Sequence, residues 1–170
     1  MRTLTLMRHA KSSWDDPAVG DHDRPLNGRG KKAAKVMAER LKSSGYKPDL
    51  VVVSSALRAR ETAEALQKHY HDQLNVRIEP KLYEAGAEVY TDVIRSVGKE
   101  VKHLMLIGHN PTIEWIAEAL CGSYKRMPTA AYLRVKIEPV VAHVHRDGAD
   151  ALLFAFFQLP LHLSDEVVSQ

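Results

Sequence analysis

Residues 4–16 read LTLMRHAKSSWDD. An apolar run, strand-like from Thr3 to Met7, passes directly into Arg8-His9, then two serines, a tryptophan and two acids. Two further apolar runs have the same shape. DLVVVSS (49–55) is continuously β-branched, and HLMLIGH (103–109) ends on glycine and histidine. Uninterrupted runs of this kind suit strands buried on both faces, which is the signature of a parallel sheet.

Helical spacing fills the intervals. GRGKKAAKVMAERLKSSG (28–45) sets Ala33, Met37 and Leu41 on one side, with Asn27 as N-cap and Gly45 and Pro48 as the stop. Helices are also expected over 57–70, 88–97 and 111–122, and a short strand over 76–80. AAYLRVKIE (130–138) alternates like an edge or antiparallel strand, and ALLFAFFQL (151–159) reads as a last strand. Strands separated by helices predict an α/β domain, three-layer α/β/α with a mostly parallel central sheet.

The remaining bulk features narrow the class. The 170 residues suit one domain, 1–170. Hydrophobic residues make up 45% and charged residues 26%, ordinary values for a soluble globular protein. The net charge of +3 and pI near 9.0 suit an anionic ligand without requiring one. No basic block or basic-aromatic motif points to nucleic acid. No apolar run reaches the roughly 20 residues of a membrane span. MRTLTLMRHA lacks the apolar stretch of a secretory signal, and Cys121 is the single cysteine. A cytoplasmic protein is the expectation; no particular oligomeric state is implied.

In open α/β sheets, ligands bind beyond the carboxyl ends of the strands. Here those ends carry Arg8-His9, then Ser54-Ser55 leading to Arg58, then Gly108-His109 followed by Asn110-Pro111. Parallel strands would gather two arginines and two histidines on one rim. GHNPT reads as a helix start with Pro111 in the first position and Asn110 as N-cap. His109 would then sit beside free N–H groups that favour an anion, although a capped turn with a solvent-facing histidine reads equally well. Arg58 falls in the first turn of its helix, where a cation costs about 0.3–1 kcal/mol unless an anion compensates. Trp14 reads as a packed surface aromatic.

Together these segments resemble the histidine phosphatase superfamily, the phosphoglycerate-mutase-like fold. RHAKSSWD resembles its Arg-His-Gly-x-Ser-x-Trp-Asn signature, with Ala10 for glycine and Asp15 for asparagine. RPLNGRG resembles the Pro-Leu-Thr-x-x-Gly segment, with Asn27 for threonine. SSALRARETA, LYEAG and GHNP resemble the arginine helix, the acid loop and the second-histidine motif. Five matches in family order, over roughly residues 4–115, are highly specific. The short length and the DHDRPLNGRG segment look most like the SixA-type phosphohistidine phosphatases.

The resemblance implies a phosphatase that needs neither metal nor cofactor, with His9 as nucleophile forming a phosphohistidine intermediate. Arg8, Arg58 and His109 would clamp the phosphoryl group, and Glu84 would protonate the leaving group. Ser12, Arg24 and Asn110 are further phosphate-binding candidates; pairing of Arg24 with Asp21 or Asp23 is an equal alternative. Asp15 is given no phosphate contact. Physically, a nucleophilic imidazole must be neutral, which Arg8 and Arg58 favour, and a backbone carbonyl on its other nitrogen would fix the tautomer. HVH (143–145) has no third ligand at zinc spacing. The expected partner is a protein bearing phosphohistidine or a small phosphorylated molecule; a non-catalytic phosphate-binding module is the competing class.

Overall fold

The computed structural model describes residues 2–139 and 161–168. Six strands form among these residues, the central ones where the sequence is apolar on both faces. They are β1 (Arg2–Arg8), β2 (Leu50–Ser54), β3 (Val76–Glu79), β4 (His103–Gly108), β5 (Tyr132–Pro139) and β6 (Leu161–Val168). They lie in the order β3-β2-β4-β1-β5-β6. The first four are mutually parallel, and β5 and β6 close the sheet antiparallel. β5 is antiparallel as expected but is not an edge, because β6 pairs along its whole length. The strand expected over 151–159 lies outside the described residues.

Among the described residues, four α-helices cover the sheet: α1 (Gly28–Ser43), α2 (Leu57–His69), α3 (Ala87–Arg95) and α4 (Thr112–Cys121). The period-two alternation of the strands divides the core in two. Leu4, Leu6, Val52, Leu104 and Leu106 face α3 and α4 through Tyr90, Ile94, Ile113 and Leu120. Met7, Val51, Val53, Met105 and Ile107 face α1 and α2 through Met37, Leu41, Ala59 and Leu66. The result is the three-layer α/β/α architecture with a mostly parallel sheet. Among the described residues, no helix is long and apolar enough to cross a membrane.

Local rules account for the start of α1 and for the end of α4, where Gly122 is left-handed. Asn27 caps α1, its side chain accepting from the Gly30 N–H at 2.8 Å. The start of α4 departs from expectation. It begins at Thr112 rather than Pro111, and Asn110 caps nothing. Its side-chain amide donates instead to the Met127 carbonyl at 3.0 Å. A tertiary acceptor has outcompeted the local cap.

The loop after β1 is stitched to the segment leading into α1. Asn27 N–H donates to the Lys11 carbonyl at 3.0 Å, Ser13 N–H to Pro25 at 2.8 Å, and Ser12 bridges to Leu26. Gly30 makes that contact sterically feasible, since a Cβ there would sit 2.0 Å from the Lys11 carbonyl oxygen. Gly28, two residues earlier, has nothing within 4 Å of such an atom. Gly30→Ala should therefore destabilise by about 1–3 kcal/mol, lowering the melting temperature by roughly 3–10 °C. Gly28→Ala should be neutral or stabilise by up to about 1 kcal/mol, because it only restricts the unfolded chain. Thermal melts of the two variants check the contrast.

Candidate active site

The parallel registers bring the strand ends together. Arg8 pairs with Gly108 across β1 and β4, so His9 and His109 leave the sheet side by side. The His9 N–H donates to the Gly108 carbonyl at 3.0 Å, and the two rings stand 5.0 Å apart. Val53 pairs with Ile107, which puts Ser54 next in line, its hydroxyl 2.8 Å from His109 Nε2. One turn further, Arg58 donates from Nε to His9 Nε2 at 3.2 Å.

His9 is only 8% exposed. Its Nδ1 lies 2.7 Å from the Ala10 carbonyl oxygen. A carbonyl can only accept, so Nδ1 carries the proton and Nε2 presents its lone pair toward Arg58. Burial drives the pKa down to about 3, and His109, Arg58 and Arg8 push the same way against the Ala10 carbonyl. Ala10 is held in turn, its N–H donating to Thr62 Oγ1 at 3.0 Å, while Thr62 donates to the Arg58 carbonyl at 2.7 Å. Ala10 is not among the non-glycine residues with positive φ, so its backbone does not call for the glycine of the signature.

His109 is also held neutral, at about 4, chiefly by burial and then by Arg58. Its Nδ1 is buried without a partner. Its backbone N–H donates to the Tyr90 hydroxyl at 3.2 Å, which itself donates to the Leu82 carbonyl at 3.1 Å. Gly108 admits that tyrosine: a Cβ there would meet the Tyr90 oxygen at 2.2 Å. Arg8 is aimed by the Met127 carbonyl, 3.0 Å from its NH1, and its Nε is buried without a partner. Met127 is itself fixed by its N–H donating to Glu114 at 2.9 Å.

The other candidates divide. Arg24, 7% exposed, pairs with Asp21 at 2.7 Å, the alternative raised for it. Asp21 also pairs with Arg58 at 2.9 Å, which supplies the anion that a cation in the first turn of α2 requires. Ser12 is buried beside Leu26. Asn110 is turned to the Met127 carbonyl, with its Oδ1 buried and unpartnered. Glu84 is exposed, in a left-handed backbone conformation (φ 53°), next to Tyr83. Tyr83 reaches the site: its hydroxyl donates to Asp21 at 3.0 Å, and its ring lies 5.9 Å from that of His109. Burial, then Asp21 and Glu84, raise its pKa to about 12. The Asp15 carboxylate is taken up by the Ser13 hydroxyl at 2.6 Å. Trp14 is not packed as expected. It is 74% exposed, with the Arg24 guanidinium 3.4 Å from its ring centroid.

Residue-level reasoning does not single out Tyr83, Thr62 or the Met127 carbonyl; it offers Asp21 only as a partner for Arg24 and Ser54 only as a strand end. Ser54 and Thr62 stood inside a quoted motif, and Asp21 stood three residues before Arg24. No group of three or more potential metal ligands occurs among the described residues. The HVH segment lies outside them.

The neutral imidazoles carry a pH signature. Above pH 6.5, His9 is neutral in both the folded and the unfolded chain. Between 6.5 and about 3 the unfolded chain takes up a proton and the folded one does not, so stability falls as pH falls through that window. From pH 7 to pH 5, His9 alone should cost about 2 kcal/mol. Melting of the ligand-free protein at the two pH values should show this loss, and His9→Asn should lose that part of the slope.

Comparison with known proteins places this geometry. The family model for the histidine phosphatase superfamily (branch 1) matches residues 4–162. An uncharacterised chloroplastic protein of Arabidopsis thaliana is 35% identical over 75% of this chain, which spans 63% of that protein's length. Phosphohistidine phosphatase SixA of Escherichia coli is 28% identical over 68% of this chain and 72% of its own. A crystal structure of a candidate SixA from Agrobacterium tumefaciens is 33% identical, with a TM-score of 0.74 over 79% of this chain and 90% of that one. With two arginines and two histidines gathered at the parallel strand ends and a match that runs most of the chain, the protein belongs to the histidine phosphatase superfamily, branch 1.

Proposed function

We propose that this protein is a phosphohistidine phosphatase acting through a phosphoenzyme on His9, on a protein substrate in the cytoplasm. The observation that carries the reading is the state of His9. It is a buried, neutral imidazole with its proton fixed on Nδ1 and its Nε2 lone pair facing a guanidinium.

In the first step, Nε2 attacks phosphorus. The new N–P bond forms as the bond to the substrate nitrogen breaks, and the departing imidazole takes a proton from solvent. In the second, water attacks, the N–P bond to His9 breaks, and inorganic phosphate leaves with His9 neutral again. Charge on the transferring group spreads over its equatorial oxygens, so positioned cations supply most of the catalysis. Arg8 and Arg58 do this with planar, permanently charged forks. His109 joins them once a bound dianion raises its pKa, protonating the imidazole. No step calls for a metal.

Two features support phosphohistidine over a phosphate ester. The similarity to SixA proteins points that way, and an imidazole leaving group depends little on an enzymic acid, consistent with an exposed Glu84. A small phosphomonoester is the second reading, favoured by the same residue: Glu84 adjoins Tyr83 at the site edge and would serve as proton donor to an alkoxide.

Phosphate release in EDTA should be measured on a phosphohistidine protein, a sugar phosphate and p-nitrophenyl phosphate. Wild type should act fastest on phosphohistidine, His9→Ala should release nothing, and Arg58→Ala should lose about 10²–10³ in rate. A preference for an ester would keep the mechanism and change the substrate. Equal release by His9→Ala would remove the nucleophile assignment.

A further inference from the structure

Arg58, which donates to His9, and Arg24 share one carboxylate. Asp21 Oδ1 accepts from Arg24 Nε at 3.0 Å and NH2 at 2.7 Å. Its Oδ2 accepts from Arg58 NH2 at 2.9 Å and the Tyr83 hydroxyl at 3.0 Å. Its backbone carbonyl accepts from Arg58 NH1. An anion clamp does not need a carboxylate for its own sake. A fixed negative charge beside Arg58 repels a bound phosphate and occupies donors that phosphate would use.

We propose that Asp21 sets the strength of the phosphate clamp, as a counter-charge that keeps Arg24 and Arg58 from retaining phosphate too tightly. Asp21 acts through the arginines and is a positioning and tuning residue, not a catalytic one. The inference rests on the phosphatase reading, and it makes product release part of what Asp21 controls.

The alternative role, a mere tether, gives the opposite sign. Both arginines keep anchors that do not involve the carboxylate. Arg58 retains His9 Nε2 and the Asp21 carbonyl. Arg24 retains the Ser13 carbonyl at 3.3 Å and the Trp14 ring. Removing the charge therefore changes the field at the clamp more than its geometry. A like charge removed from a half-exposed carboxylate paired with an arginine that would hold a dianion should tighten its binding about tenfold.

The test is calorimetric titration of wild type, Asp21→Asn and Asp21→Glu with inorganic phosphate, beside turnover of p-nitrophenyl phosphate. Asp21→Asn should bind phosphate about tenfold more tightly and show lower KM together with lower kcat. Asp21→Glu keeps the charge and should not tighten. Asp21→Ala, which also drops the charge, must shift the same way as Asn, and serves if the Asn variant does not fold. Weaker or unchanged phosphate binding in the neutral variants overturns the proposal. Wild type that binds phosphate but turns over no substrate overturns the phosphatase reading instead, and wild type that binds no phosphate overturns both.

Discussion

The hydrogen bond from His9 Nδ1 to the Ala10 carbonyl, 2.7 Å long, joins the fold to the chemistry. It decides which nitrogen of a buried imidazole carries the proton and which offers a lone pair. Everything around it serves to hold that carbonyl still. Thr62 pins the Ala10 N–H to α2, the same helix that presents Arg58. Lys11, the next residue, is pressed against the first turn of α1 at Gly30. Both helices on one face of the sheet therefore contribute to the orientation of a single ring.

The electrostatics follow from the same crowding. Burial keeps both histidines neutral, and Arg58 and Arg8 beside them push the same way. A site this cationic would be costly if left uncompensated. Asp21 compensates it by gathering Arg24, Arg58 and Tyr83 on one carboxylate. Three chain segments, the turn at Asp21–Asp23, the start of α2 and the Tyr83 loop, are thereby tied together. In the proposed mechanism, holding phosphate and releasing it are opposite demands on Arg58, with the carboxylate balancing them.

Much of this was legible in the residues. β2 and β4 are continuous apolar runs because both their faces are buried, and the loaded residues at their ends follow from parallel packing. His9, Arg8, Arg58 and His109 converge because β1, β4 and β2 share a direction. What escaped reading depends on contacts with no local signature. Tyr83 meets Asp21 across 62 positions, and both sit in or beside short 3₁₀ turns that leave no periodic pattern. Asn110 looked like a cap because the cap rule is local, but the Met127 carbonyl, 17 residues on, took its amide. β6, in LHLSDEVV, carries charge and lacks the continuous apolar run that marks β2 and β4. Ala10 in place of the signature glycine is explained only by its backbone, which is not left-handed.

The central claim is that His9 Nε2 receives the phosphoryl group. Rapid acid-free quenching during turnover, followed by mass spectrometry of the digested protein and nitrogen NMR of the labelled imidazole, tests it directly. The account predicts an acid-labile phosphate on His9, bonded at Nε2, absent from His9→Ala. Phosphate on Nδ1 or on another residue, or turnover with no trapped phosphoenzyme in a protein quenched faster than its cycle, would contradict it.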